Sequence, residues 1–173
     1  MLVVLSGLPG VGKTTIAREL ARRSVAVHLR IDSIEQAIYG ASVAAGDIGE
    51  EGYRVAYAVA EDNLRIGRTV IADSVNPIPL TRDAWLNVAV RCQVHAIEVE
   101  VRCSNLAEHR RRLEGRASDI PGLKLPTWTG LAKREYAFWD REHLILDTSS
   151  TLLDQCVETI QQAMHAKLLR PVV

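Results

Sequence analysis

The feature that most constrains this chain is a glycine-rich run at residues 7–14, placed between an apolar segment and an amphipathic one. The run fits the pattern GxxxxGK[ST] without a gap, as Gly7-Leu8-Pro9-Gly10-Val11-Gly12-Lys13-Thr14. Glycines let backbone N–H groups turn inward around phosphate oxygens, and a helix that follows adds partial positive charge at its N-terminus. Because the flanking segments have the required order, the run predicts a phosphate-binding loop rather than a chance turn.

In a loop of this kind, Lys13 reaches the β- and γ-phosphates of the nucleotide and the hydroxyl of Thr14 binds Mg²⁺. We therefore expect ATP and Mg²⁺ as cofactors, with Lys13 also serving catalysis and facing solvent before the nucleotide binds. The predicted ATP-binding residues are Gly7, Leu8, Pro9, Gly10, Val11, Gly12, Lys13, Thr14 and Thr15, with Arg110 from farther along the chain.

Short β-branched runs alternate with longer amphipathic stretches, a pattern typical of βαβ units and a parallel sheet. We expect strands at 2–6, 25–31, 69–72, 94–101 and 144–146, and helices at 12–23, 50–66, 81–91, 104–114, 130–139 and 151–169. Parallel strands are covered on both faces, so the predicted class is α/β. It is a three-layer α/β/α fold of the P-loop NTPase type, with a five-stranded parallel sheet and a small helical lid. A length of 173 residues suits one domain, 1–173.

Two aspartates follow predicted strands, where ligands of open α/β sheets bind. Asp73 ends the run Val70-Ile71-Ala72 and is the predicted Mg²⁺ carboxylate, together with Thr14. Asp32 ends the second strand and could accept the proton of an attacking hydroxyl, which makes it a predicted catalytic residue. The alternative is that Asp32 or Ser33 caps the helix that follows.

The segment at about 110–130, called the lid below, begins with basic residues and continues as a long irregular stretch. Stretches of this length are often functional, and cations on a lid neutralise a transferring phosphoryl group. We predict catalytic roles for Arg112 and Arg116, which would share a face if the helix extended that far. The alternative is a solvated basic helix face paired with Glu108 and Glu114. The lid should become ordered when nucleotide and acceptor bind.

Composition excludes several other classes of protein. The 21 basic and 21 acidic side chains balance, which argues against non-specific binding to nucleic acid, and aromatic residues make up only 5%. Cys92, Cys103 and Cys156 lack the spacing of a disulfide framework or zinc site, which favours the reducing cytoplasm. No apolar run is long enough to span a membrane. The histidines show no metal-ligand spacing, and we assign them no function.

With these residues identified, the chain resembles the small AAA-type P-loop kinases that include polynucleotide-kinase-like, zeta-toxin-like and chloramphenicol-phosphotransferase-like proteins. The resemblance is strongest at 5–15, 31–35 and 67–76. It implies that Asp32 is the general base, and that 144–149 passes near the adenine. Asp73 and Asn76, with Arg82 beyond, are similar to the D-x-x-N run of the wider family. Glu35 replaces an arginine found in many relatives, which argues against a nucleotide or nucleic-acid hydroxyl as acceptor.

The predicted function is transfer of the γ-phosphoryl group of ATP to a hydroxyl of a small-molecule acceptor. We expect the segment 39–57 to form the acceptor wall, with Ala44-Ala45-Gly46 leaving space. Two alternatives stay open, a regulatory ATP-binding module and an NTPase switch. The switch is disfavoured because no asparagine is followed by lysine, as guanine selection usually needs, and the DxxG run at 119–122 lies in the lid rather than after a strand.

Overall fold

The computed structural model describes residues 1–41 and 50–171. The strands are β1 (Leu2–Ser6), β2 (Val27–Arg30), β3 (Val70–Asp73), β4 (Ala96–Arg102) and β5 (Leu144–Asp147). The helices are α1 (Lys13–Ser24), α2 (Ile31–Ala41), α3 (Glu51–Arg65), α4 (Pro79–Arg91), α5 (Leu106–Gly115), α6 (Trp128–Leu131) and α7 (Leu153–Leu168). Within these ranges, none of the helices has the length and apolarity to cross a membrane. The part of the predicted acceptor wall at 42–49, including Ala44-Ala45-Gly46, lies outside the described residues.

The five strands form one sheet in the order β2-β3-β1-β4-β5, and every neighbouring pair is parallel. β1 occupies the centre, while β2 and β5 are the edges. Because all strands run the same way, their carboxyl ends meet at one edge of the sheet, above which ligands bind in open α/β folds. The predicted fold class is confirmed.

Alternation along β1 builds the two faces of the core. Val3 and Leu5 point into an apolar cluster with α1 and α7, whereas Leu2 and Val4 point into a second cluster with α3 and α4. All four side chains are completely buried. Full burial of each contributes about 2 kcal/mol of apolar transfer free energy, so β1 is held from both sides.

The predicted helix at 130–139 is wrong, because α6 ends at Leu131 and the chain continues irregularly to β5. The buried guanidinium of Arg82 donates hydrogen bonds to the carbonyl oxygens of Ala137, at 2.7 Å, and Phe138, at 3.1 Å. The amide of Ala137 donates to the carbonyl of Pro77 at 2.8 Å. These tertiary bonds use the backbone groups that a helix would otherwise pair internally.

The irregular segment 132–143 covers two acidic residues of β4 that face away from the α1 and α7 layer. Arg141 pairs with both carboxylate oxygens of Glu98, at 2.7 and 2.8 Å. The Nε2 atom of His143 lies 3.1 Å from Glu100 Oε2. Buried carboxylates are costly unless paired, so this segment supplies their partners where a helical layer would have been apolar.

Candidate nucleotide and acceptor site

The glycine-rich loop that follows β1 has backbone conformations that residues with a side chain rarely adopt. Gly7 has φ of 141°, and a Cβ atom there would lie 2.2 Å from the carbonyl oxygen of Val101. Gly12, directly before α1, has φ of 100°. The amide of Gly7 donates to the carbonyl of Val75 at 3.1 Å, which ties the loop to the segment after β3. Glycine is thus required at position 7 by the close approach of the Val101 carbonyl and at position 12 by the positive φ.

Lys13 is the first residue of α1, and its side chain turns back into the loop. The Nζ atom donates to the carbonyl of Leu8 at 3.0 Å, and the residue is only 8% exposed. The expectation that Lys13 faces solvent is therefore wrong. Burial lowers the pKa of Lys13, against the opposing charges of Asp73 and Asp32. The hydrogen bond to Leu8 therefore fixes the Nζ atom of Lys13 inside the loop rather than in solvent.

Asp73 ends β3 beside the start of α1, as predicted. Its carboxylate accepts hydrogen bonds from the hydroxyl of Thr14 and from His28, whose Nε2 atom lies 3.3 Å away. Burial alone would raise the pKa of Asp73, but His28, the charge of Lys13 and Thr14 together hold it below its usual value. Asp73 is therefore an anion at neutral pH, although it is 3% exposed.

Asp32 lies in the first turn of α2, which begins at Ile31, and is therefore not the last residue of the strand. Both Asp32 and Ser33 are inside the helix, so neither occupies the cap position of the alternative interpretation. The side chain of Asp32 is 44% exposed, and one of its oxygens lies 3.7 Å from Arg30 Nη2. This carboxylate is accessible from the open side of the site.

One cleft of about 560 Å³ is lined both by the phosphate-binding loop and by the first turn of α2, which carries Asp32. It is lined by Pro9, Lys13, Thr14, Ile31, Asp32, Glu35, Tyr53, Asp73, Ser74, Val75, Pro77, Ile78, Thr81, Arg116, Leu123, Lys124, Arg134 and Glu135. Residues from the loop, from the ends of β2 and β3 and from the lid thus meet around one space. Burial raises the pKa of Tyr53 to about 12, so its hydroxyl is neutral and can donate or accept.

Three arginines of the lid, Arg110, Arg112 and Arg116, have different surroundings. The helix α5 ends at Gly115, so the condition under which Arg112 and Arg116 would share a helix face is not met, and Arg116 instead lines the cleft. Arg112 instead donates to Thr148, from Nη1 to Oγ1 at 2.9 Å and from Nη2 to the carbonyl at 3.1 Å. Arg110 pairs with Glu114 at 3.0 Å on the exposed face of α5. Among the described residues, the cleft lining includes Arg116 but neither Arg110 nor Arg112.

Several residues around the cleft escaped the sequence analysis. His28 contacts Asp73, and alternation along β2 could have placed both on one face of the sheet. Arg30, Arg18 and Asp119 form an ion-pair cluster between the sheet, α1 and the lid. No spacing along the chain indicated this cluster, because its members are brought together only by the folding of the lid onto the sheet.

A parallel α/β/α sheet with a phosphate-binding loop after its central strand and a buried aspartate after the neighbouring strand defines a P-loop protein. Residues 2–124 match the family described as AAA domain, and the chain belongs to that family. No curated protein sequence matches the chain significantly.

Solved structures show the same fold over almost the whole chain. The APS kinase CysC of Mycobacterium tuberculosis, in complex with AMPPNP and APS, has 17% identity and a TM-score of 0.71, covering 95% of this chain and 96% of that one. A sugar kinase from Janibacter sp. HTCC2649 has 17% identity and a TM-score of 0.68, covering 95% and 94%. Kti12 of Chaetomium thermophilum, in complex with ADP-AlF3, has 26% identity and a TM-score of 0.67, covering 94% and 98%.

Proposed function

We propose that this protein is a Mg²⁺-ATP-dependent kinase that transfers the γ-phosphoryl group to a hydroxyl of a small-molecule acceptor. The observation that carries the proposal is the single cleft shared by Lys13, Thr14, Asp73, Arg116 and Asp32. Groups suited to phosphate and Mg²⁺ thus line the same space as an accessible carboxylate. The cleft is large enough for the reacting end of a nucleotide and a small acceptor.

The donor side would bind the phosphates of ATP through the backbone amides of the loop and the ammonium of Lys13. Arg116, on the lid side of the cleft, would neutralise charge on the transferring group. The adjacent hydroxyl of Thr14 and carboxylate of Asp73 are hard oxygen donors of the kind that Mg²⁺ prefers. Mg²⁺ is commonly bound by one or two protein oxygens together with phosphate oxygens of the substrate. When bound, Mg²⁺ would neutralise charge on the phosphates.

The acceptor side would position a hydroxyl near Asp32. As the acceptor oxygen forms its bond to the γ-phosphorus, the bond to the departing ADP oxygen breaks and the hydroxyl proton passes to the Asp32 carboxylate. Tyr53 can orient the acceptor through its neutral hydroxyl. Ile31 and Ile78 give the same space apolar walls that could pack against carbon atoms of the acceptor and exclude water.

The small molecules bound to several structural neighbours, or given in their names, also support a small-molecule acceptor. These neighbours include the APS kinase with APS, the sugar kinase and a shikimate kinase of Acinetobacter baumannii in complex with shikimate. The last has 20% identity and a TM-score of 0.57. The three cysteines in the chain are free, which suits the reducing cytoplasm as the proposed location.

The second candidate function is an ATP-binding regulatory module without a small-molecule acceptor. It is favoured by the similarity to Kti12, which at 26% identity was solved with ADP-AlF3. The two candidates differ in one measurable property, because only the kinase transfers phosphate to an added acceptor faster than to water.

The test is a phosphoryl-transfer screen with Mg²⁺-ATP against sugars, hydroxylated metabolites, nucleosides, nucleic-acid ends and antibiotics. Lys13→Ala serves as the control for donor-site chemistry. We expect one class of small hydroxylated acceptor to be phosphorylated by the parent and not by the variant. ATP binding without stimulation by any acceptor would favour the regulatory module instead.

A further inference from the structure

The carboxylate of Asp119 in the lid is shared by two arginines from other parts of the fold. Arg30 Nη1, at the end of β2, lies 2.9 and 3.0 Å from the two oxygens of Asp119. Arg18 of α1 also pairs with this carboxylate. The hydrogen bonds from Arg18 and Arg30 hold the pKa of Asp119 well below its usual range, so it is an anion at neutral pH. Asp119 therefore anchors the lid to both α1 and the sheet.

Arg30 differs from Arg18 in burial and in its second partner. Its side chain is 5% exposed, whereas that of Arg18 is 54% exposed. In the described part of the chain, Arg30 forms ion pairs with two carboxylates, those of Asp119 and Asp32. The contact with Asp119 is a hydrogen bond, but the contact with Asp32, at 3.7 Å, is longer than one. A buried guanidinium is costly without a hydrogen-bonded anion, and Asp119 currently provides it.

The two carboxylates consequently compete for one buried cation. We propose that Arg30 is a positioning residue that exchanges Asp119 for Asp32 when the lid opens, so that lid closure frees the catalytic carboxylate. With the lid docked, Arg30 is satisfied by Asp119, and Asp32 is left for the acceptor hydroxyl. When the lid is undocked, the nearest anion for Arg30 is Asp32. The guanidinium then moves closer to the Asp32 carboxylate, and its positive charge makes that carboxylate a poorer proton acceptor.

The lid also contacts α2, the helix that carries Asp32. Movement of the lid is therefore transmitted directly to the surroundings of Asp32. Gly122 has φ of 79°, and a Cβ atom there would lie 2.9 Å from Nε2 of Gln36 on α2, the helix that carries Asp32. The lid therefore contacts the chain on both sides of Asp32 in sequence, at Arg30 and at Gln36. The inference rests on the proposed function, because it assigns Asp32 the role of proton acceptor. Its value to a kinase would be to restrain transfer to water until the closed lid covers the acceptor.

Three variants and one double variant separate this exchange from simple lid anchoring. Asp119→Ala removes the lid carboxylate and releases Arg30, while Arg18→Ala removes an anchor of the same carboxylate and leaves Arg30 paired. Arg30→Met removes the competing cation. The double variant Arg30→Met/Asp119→Ala keeps the lid unanchored but leaves Asp32 without a competitor. The assay is hydrolysis of Mg²⁺-ATP, with water as the acceptor.

We expect Asp119→Ala to lower kcat by about tenfold, which is a smaller loss than complete removal of a general base would cause. The KM for ATP should stay within about twofold of the parent value. Arg18→Ala should stay within about threefold of the parent, because Arg30 keeps its partner. The double variant should recover most of the lost kcat. If the double variant is as slow as Asp119→Ala, the loss comes from the lid alone and the exchange is overturned.

A crystal structure of Asp119→Ala provides a test that does not depend on activity. The expected result is an Arg30–Asp32 contact within hydrogen-bond distance, and a separation that remains at 3.7 Å or more contradicts the proposal. If the parent transfers phosphate neither to water nor to any acceptor, the proposed function fails. The crystal structure still decides whether Arg30 changes partners.

Discussion

The Nε2 atom of His109 lies 2.8 Å from the carbonyl oxygen of Pro9, so a ring on α5 donates a hydrogen bond to the phosphate-binding loop. His109 is 4% exposed, and its ring packs edge-on against Trp128 of α6, with centroids 5.3 Å apart. A single side chain of α5 thus touches both the phosphate-binding loop and α6.

His109→Phe should weaken ATP binding by about fivefold, because the variant keeps an aromatic ring against Trp128 but loses one buried hydrogen bond to the loop. His165→Phe makes the same exchange on an exposed face of α7 and is the control. Isothermal titration with a non-hydrolysable ATP analogue measures both. Equal affinity in all three proteins would show that the loop holds its shape without His109.

Lys13→Ala should weaken ATP binding by about 10- to 100-fold, the range for loss of a charged hydrogen-bond donor, and should nearly abolish turnover. The fold should survive, because burial already disfavours the charged form of Lys13. The variant loses the hydrogen bond to the Leu8 carbonyl and one of the several groups that keep Asp73 ionised. Melting temperature and titration on one preparation check both points. An unchanged affinity for ATP would remove Lys13 from the donor site.

Asp32→Asn should reduce phosphoryl transfer by about 10²- to 10⁴-fold while ATP affinity changes by no more than a few-fold. The amide keeps the shape of the carboxylate but cannot take the proton of the acceptor. Ser33→Ala, at the next position in the first turn of α2, controls for disturbance of the helix start. Full activity in Asp32→Asn, or equal losses in both variants, would return Asp32 to a structural role.

Gly7→Ala should destabilise the protein by several kcal/mol or prevent folding, because the added Cβ atom would lie 2.2 Å from the carbonyl oxygen of Val101 and φ is 141°. Gly115→Ala is the matched control, since a Cβ atom at that helical position meets nothing within 4 Å. It should stabilise the protein by about 0.5–1 kcal/mol. Urea unfolding of both variants tests the contrast. Similar effects at the two sites would contradict the loop geometry.

Stability should fall as pH rises above about 10, because folding buries tyrosine hydroxyls. Burial raises the pKa of Tyr53 to about 12 and also raises that of Tyr57, which packs on Trp85 with ring centroids 4.6 Å apart. The unfolded chain loses these protons near pH 10, so their contribution is complete below pH 10 and is lost as pH rises toward 12.

Tyr57→Phe should therefore flatten the alkaline decline of the melting temperature. Tyr39→Phe, at an exposed position, is the control. Melting curves between about pH 8 and 11 give the comparison. A decline that is identical in the parent and both variants would place its origin in other groups.

The central elements were predictable because one local pattern determined each. Leu2–Ser6 forms β1 with the predicted bounds, and α1 begins at Lys13, directly after the last glycine of the loop. Alternating apolar residues and a complete glycine pattern are signals carried by neighbours along the chain. The same holds for Asp73, which the aliphatic run before it placed at the end of β3.

Other features depended on partners distant in sequence. The irregular path of 132–143 follows from Arg82, more than fifty residues earlier, which binds the carbonyls of Ala137 and Phe138. Lys13 is buried because its ammonium group donates a hydrogen bond to the loop carbonyl of Leu8, a detail of loop curvature that the pattern GxxxxGK[ST] does not specify. The pairing of Arg30 with Asp119 joins residues 89 positions apart.

The strand order gives the phosphate-binding loop and Asp32 different amounts of support from backbone hydrogen bonds. The phosphate-binding loop grows from β1, the central strand, which has a hydrogen-bonded neighbour on each side, whereas Asp32 follows β2, an edge strand with one neighbour. Insertions or substitutions around β2 and α2 therefore disturb fewer backbone pairings than changes around β1. In the proposed kinase, selection for a new acceptor can remodel the periphery of the molecule while the nucleotide site at its centre is inherited unchanged.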